Sequence, residues 1–190
     1  MDLKESVKTA SLNKSTYINL RWIGIIGQFI TINTVKFVFN FEFNFILSNL
    51  IIFVGVLSNL YLIFFYKKPL LSNVSSFNFL SLDILQLSAL LYLSGGILNP
   101  FSIFLLIPSV FAASNLNIKT NIALIVITLA SIIFLTFYHY EMPKPLDEYS
   151  ISLYYYYAIP LALIIALFFL NYFAFIFGQE TNLRKDALDK

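Results

Sequence analysis

Six predominantly apolar stretches, at residues 20–39, 45–65, 77–93, 100–116, 122–138 and 155–177, dominate the chain and dictate its solvent. A helix climbs about 1.5 Å per residue, so crossing about 30 Å of hydrocarbon takes roughly 17 to 25 mostly apolar residues. Each stretch meets or approaches that length. With 59% hydrophobic residues, 12% charged residues and a mean hydropathy of +0.81, too little polar surface remains to coat a soluble globule. The expected fold is an all-α integral membrane protein, a six-transmembrane-helix bundle with short loops and no internal repeat. Segment 1–19 precedes the transmembrane domain, 20–177, and a polar tail, 178–190, follows it. Short connections make consecutive helices antiparallel neighbours.

Orientation follows from Lys and Arg, which cytoplasmic flanks retain. Lys4, Lys8, Lys14 and Arg21 lie at the first stretch, Lys67 and Lys68 follow the second, Lys119 the fourth, and Arg184, Lys185 and Lys190 the sixth. All fall on one side, so the N and C termini are expected to be cytoplasmic. Lys36 and Lys144 are the exceptions, and Lys36 is expected to snorkel toward Glu42. The first stretch reads as a signal anchor, since it has full length and no small-residue cleavage site follows. Trp22 and Tyr154 to Tyr157 sit where an interfacial aromatic belt would.

No cysteine is present, so disulfide, haem-attachment and thiolate–metal chemistry are excluded. A net charge of +2 gives no footprint for nucleic acid, and no His or carboxylate cluster has metal-ligand spacing. The single histidine, His139, lies in a loop on the non-cytoplasmic side with no nucleotide-binding motif after it, so a solvated residue is expected there.

Polar side chains within a span are costly and face the bundle interior. In the first stretch Arg21, Gly24, Gln28 and Thr31 share a stripe, which is read as close packing against other helices. In the third, Asp83 and Gln86 share a face, with Ser94 further along it. Asp83 lies about 9 Å inside the span, a depth that Arg21 reaches, so an Arg21–Asp83 pair is expected.

The richest local signal is the turn Ser94-Gly95-Gly96-Ile97-Leu98-Asn99-Pro100-Phe101. Glycine ends a helix by taking left-handed backbone angles, Asn is a favoured N-cap, and Pro is favoured at the first helical position. That is a complete structural explanation. The same atoms support a functional one: free N–H groups at the next helix start and the Asn99 amide would hold a carbonyl or a semiquinone anion. Gly95 and Gly96 would admit a flat ring close to the backbone, with Phe101 to stack on it. The run from Pro100 to Ala113 covers only about 21 Å, so the turn is expected to dip below the outer surface, and Pro108 to kink this helix.

Gly95-Gly96-x-x-Asn99-Pro100-Phe101 resembles the GGxxNPF heptapeptide of the RegB/PrrB-type redox-sensing histidine kinases. Leu20-Arg21-Trp22-Ile23 with Gly27-Gln28, and Leu82 to Leu87 with Leu91-Tyr92-Leu93, are similar to the same family's sensor region, so the resemblance spans residues 17–190. It implies a six-helix sensor in the bacterial inner membrane that works as a homodimer. It also implies a ubiquinone-like quinone bound at Gly95, Gly96, Asn99, Pro100 and Phe101. Arg21, Gln28, Asp83 and Gln86 are the intramembrane polar residues for packing or signalling. The family's phospho-acceptor histidine, ATP-binding boxes and redox-active cysteine lie downstream. Residues 1–190 therefore hold no catalytic residue, and a response regulator is expected as partner only if a kinase domain follows. Leu183 and Ala187 have heptad-compatible spacing, and Lys190 falls where a signalling helix would continue, so a fragment or a split gene is expected. The readings from other classes are a small transporter or channel subunit with Asp83 and Gln86 on a polar path, and a membrane scaffold.

Overall fold

The computed structural model describes residues 12–142 and Phe173. The expected sixth span, the tyrosines 154–157, the tail with Leu183 and Ala187, and Lys4, Lys8, Lys144, Arg184, Lys185 and Lys190 lie outside the described residues, as does most of segment 1–19.

The described architecture is all-α apart from one two-residue strand pair. Helix α1 (Lys14–Phe37) starts six residues before the apolar stretch, because Asn13 caps it by accepting from the Thr16 N–H at 3.2 Å. The chain turns after it through Asn40, which has φ +53. Helix α2 (Phe45–Phe64) is capped by Asn44, α3 (Asn73–Tyr92) by Ser72 and α5 (Ile118–Phe137) by Asn117, each through a side-chain oxygen three residues before the satisfied N–H. The stretch expected as one fourth helix is divided. Pro100–Leu106 winds as a 3₁₀ helix and only α4 (Ile107–Asn115) is α-helical. Pro108 is the physical reason: it has no N–H to return to Phe104, and the Phe104 carbonyl instead accepts from the Ile107 N–H in a tighter turn.

Three helices, α2, α3 and α5, are long and apolar enough to cross a membrane. Helix α1 has the length but carries Arg21, Gln28, Thr31, Asn33 and Thr34. The segment Pro100–Ala113 is apolar but short.

Strand β1 (Leu12–Asn13) pairs antiparallel with β2 (Leu70–Leu71), burying Leu12 and Leu71. Beside it the Lys14 ammonium donates to the Ile63 and Tyr66 carbonyls at 3.1 and 2.5 Å, satisfying the end of α2. These contacts gather the start of α1, the end of α2 and the start of α3 at one end of the bundle. The Asn117 N–H, bonded to Asn73 Oδ1 at 3.3 Å, brings the α4–α5 connection to the same end. Lys14, Lys67, Lys68 and Lys119 therefore share one end, as the charge pattern requires. At the opposite end the Tyr140 N–H donates to the Tyr92 carbonyl at 2.8 Å and joins the end of α5 to the end of α3.

Helix α3 is the hub: α2, the 3₁₀ helix, α4 and α5 all pack on it, and α1 packs along α2. The core runs through Leu62, Leu80, Ile84, Leu91, Leu105, Leu124 and Leu135, and Phe173 closes on it with its ring edge-on to Phe111 at 6.0 Å. Outside it, large apolar side chains such as Ile46, Phe64, Val126, Ile133 and Phe137 are exposed. That pattern suits a hydrocarbon solvent.

Candidate functional site

Between α1 and the α3–3₁₀ wall lies a cavity of about 690 Å³, within the usual range for a small-molecule site. Arg21, Gln28, Asp83, Gln86, Asn99, Pro100 and Phe101 all line it, so it brings together seven residues scattered over the sequence. Gly95 and Gly96 are not among its lining residues.

One end of the cavity is charged. Arg21 Nε and Nη2 both approach Asp83 Oδ1 at 2.9 Å, the pair expected from matching depth. Nη2 also donates to Ser58 Oγ at 2.5 Å, and the Tyr17 hydroxyl donates to Asp83 Oδ2 at 2.5 Å. The Arg21 carbon Cζ stands 5.6 Å from the Tyr17 ring centre and 5.7 Å from that of Phe79, so aromatic faces flank the guanidinium. Tyr17 and Ser58 were not foreseen. Tyr17 stands one turn before Arg21 on the same face, a position hidden only by starting the helix at residue 20. Ser58 offered just the weak signal of a hydroxyl inside an apolar run.

Deeper along α3, the Gln86 amide nitrogen donates to Gln28 Oε1 at 2.9 Å. Helix α2 forms the floor beneath it. A Cβ on Gly55 would lie 2.6 Å from the Gln86 amide nitrogen and oxygen, so a side chain there would push the amide off the α2 backbone. The α1 stripe meets other helices through its long polar side chains, Arg21 to Asp83 and Ser58 and Gln28 to Gln86, and not through its glycines among the described residues. Arg21, Gly24, Gln28 and Thr31 line the cavity, and among the described residues no atom lies within 4 Å of a Cβ added at Gly24 or Gly27. Among the described residues, Gly24 and Gly27 leave space on this face while Arg21 and Gln28 bridge it.

The turn has the caps read from its sequence. Gly95 and Gly96 take φ +103 and +60, and Asn99 Oδ1 accepts from the Phe101 N–H at 2.9 Å. Its donors are spent, however. The Asn99 amide nitrogen donates to the Ser94 carbonyl and to Ser94 Oγ, both at 2.8 Å, and the Ser102 N–H donates to the Asn99 carbonyl at 2.9 Å. The expected free N–H groups are therefore bonded within the turn, because a 3₁₀ start satisfies them one residue sooner than an α-helix. The glycines serve packing from behind. A Cβ on Gly96 would meet His139 and the Leu135 carbonyl at 2.5 Å, and one on Gly95 would meet Met142 at 3.1 Å. His139 is thus half-buried against the turn rather than fully solvated. Phe101 faces the cavity and stacks on Phe104, with ring centres 5.9 Å apart and planes 17° apart.

At the far end, the expected link from Lys36 to Glu42 is not formed; the Arg21–Asp83 bridge is the ion pair seen among the described residues. Both side chains lie at a chain reversal near the bundle end, where solvated charges gain little by pairing.

A residue-by-residue comparison gives the cavity a relative. The chain is 27% identical over 177 residues to the sensor histidine kinase RegB of Cereibacter sphaeroides. That protein is a sensor kinase. The match covers 91% of this chain but only 38% of the relative's length. No known family profile matches the chain, and no solved structure matches it significantly.

Proposed function

We propose that this chain is the membrane-embedded input domain of a redox-sensing histidine kinase and that a ubiquinone-like quinone is its ligand. In this reading six helices span the bacterial inner membrane with both termini cytoplasmic. A homodimer passes the state of the cavity to the kinase and its response regulator. The observation that carries the proposal is the cavity itself. It is of ligand size and opens among apolar helices, with stacked aromatic rings at Phe101–Phe104 and hydrogen-bonding side chains along the wall. Phe101 of that wall belongs to the heptapeptide that resembles the quinone-binding segment of the family, and the relative found by comparison is a sensor kinase. Pro100 and Phe101 wall the site, while Gly95, Gly96 and Asn99 hold the turn that positions them. A ligand signals only if it binds two conformations unequally. A cavity beside a helix that is tied to α3 by the Arg21–Asp83 and Gln28–Gln86 bonds is suited to that.

Transport through Asp83 is less well supported, since its carboxylate is occupied by Arg21 and Tyr17. The test is binding of a short-tailed benzoquinone to the full chain in lipid nanodiscs, read by quenching of Trp22, the single tryptophan. Saturable binding that weakens at least fivefold in Phe101→Ala is expected. Absence of saturable binding would overturn the proposal.

A further inference from the structure

Where the turn faces the cavity, the Asn99 amide and the Phe101 and Ser102 N–H groups are already bonded within it, so a ligand's polar atoms must find partners elsewhere on the cavity wall. The charged end is also committed: Asp83 and Ser58 hold Arg21, and Tyr17 holds the second Asp83 oxygen. The Gln28–Gln86 pair is different. Gln86 is 8% exposed, and a single bond links the two amides. Each primary amide has two donor hydrogens and a carbonyl acceptor. One bond therefore leaves the Gln86 carbonyl oxygen and the Gln28 amino group with full capacity, and among the described residues neither amide makes a second bond. Gly55 leaves room for the Gln86 amide to lie against the α2 backbone, and the bond to Gln28 holds its amino end.

We infer that the Gln28–Gln86 pair is the hydrogen-bonding end of the cavity, where a neutral, lipid-soluble ring bearing a carbonyl or hydroxyl oxygen is seated. This rests on the quinone reading above, and it moves the ligand's oxygen away from the turn. Gln86 stands six residues before the end of α3 at Tyr92, roughly 9 Å along the helix. Phe101 and Phe104 then contact the apolar part of the ligand. Neutral amides select a neutral oxygen, because an anion would be drawn to a free cation and Arg21 is already neutralised. The same two side chains link α1 to α3, so an oxygen that takes either amide bears directly on that link.

The experiment uses the full chain in lipid nanodiscs and two probes with the same alkyl tail, a benzoquinone and an oxygen-free alkylbenzene. Gln28→Leu and Gln86→Met are each expected to weaken the benzoquinone about tenfold, the equivalent of one well-made hydrogen bond, and to leave the alkylbenzene unchanged. Gln28→Asn keeps the amide but withdraws it by one methylene. It is expected to lose quinone affinity while folding as the parent does. Equal weakening of both probes would mean that the glutamines only shape the cavity and would overturn the inference. So would parental quinone affinity in the glutamine variants when Phe101→Ala weakens it, and in that case the quinone reading itself would stand. If the parent chain binds no quinone, both fall.

Discussion

Asp83→Asn removes one charge and little volume, so its cost isolates what the carboxylate does. In the parent, one carboxylate oxygen serves Arg21 Nε and Nη2 at 2.9 Å and the other accepts from the Tyr17 hydroxyl at 2.5 Å. Asparagine brings a single carbonyl oxygen, which can serve the guanidinium or the phenol. Its amino group can donate to the Tyr17 oxygen but would be repelled by the guanidinium, and in either orientation the negative charge that balances Arg21 is gone. The Arg21 side chain is only 3% exposed, and a guanidinium cannot shed its charge by losing a proton. Breaking a buried pair from one side costs about 3–5 kcal/mol. The Asp83 side chain is 22% exposed and the asparagine oxygen retains one bond, so a loss of about 3 kcal/mol is expected. Arg21→Met should cost less, about 1–2 kcal/mol, for two reasons. A carboxyl left alone can be neutralised by a proton while Tyr17 still donates to it, and Arg21 Nη1, buried with no partner among the described residues, is removed. The double variant Arg21→Met/Asp83→Leu should recover most of the loss. Unfolding in mixed micelles by a denaturing detergent, followed by Trp22 fluorescence, measures all three. The reasoning is refuted if Asp83→Asn lies within about 0.5 kcal/mol of the parent, or if Arg21→Met is the costlier change. Tolerance of Asp83→Asn would instead suit a carboxylate that carries protons.

Two further expectations concern the turn. Gly96→Ala places a Cβ 2.5 Å from the Leu135 carbonyl oxygen at φ +60, and backbone cannot yield as a side chain can. A loss of more than about 2 kcal/mol is expected, seen as a lowered Tm in detergent, and an unchanged Tm would mean that the end of α5 does not press on the turn. Asn99→Ala removes the cap on Phe101 and both bonds to Ser94 and should cost about 2 kcal/mol. It should weaken quinone binding less than Gln86→Met does, and the reverse ranking would return the ligand's oxygen to the turn.

Much of this was legible because burial makes strong demands on a few residue types. A carboxylate inside a span needs a cation at its depth, and Arg21 was the residue able to reach Asp83. Two glycines followed by Asn-Pro specify a helix stop and start whatever surrounds them, and the turn has those dihedrals and that cap. The grouping of basic residues at one end was equally readable, since helix lengths and short connections leave few alternatives. Apolar length placed the start of α1 too late, because Asn13 and Lys14 act through a cap and through the carbonyls of α2, neither of which is an apolar signal.

What sequence withheld is which neighbour a face meets. The stripe of Arg21, Gly24, Gln28 and Thr31 was correctly grouped by helical period, yet period says nothing of whether small residues admit a helix or leave a space. The glycines of the turn pose the same ambiguity with the opposite outcome. Gly95 and Gly96 were given room for a ligand ring, but a Cβ at either would meet His139, Leu135 or Met142, whereas among the described residues the open space lies at Gly24 and Gly27 on α1. The difference lies in contacts made over long sequence separations, by the end of α5 returning to α3 and by the Gln28 and Gln86 side chains bridging α1 to α3. Both sets depend on how helices are arranged about α3. The chemistry of the site could thus be read one residue at a time, whereas the direction in which it faces could not.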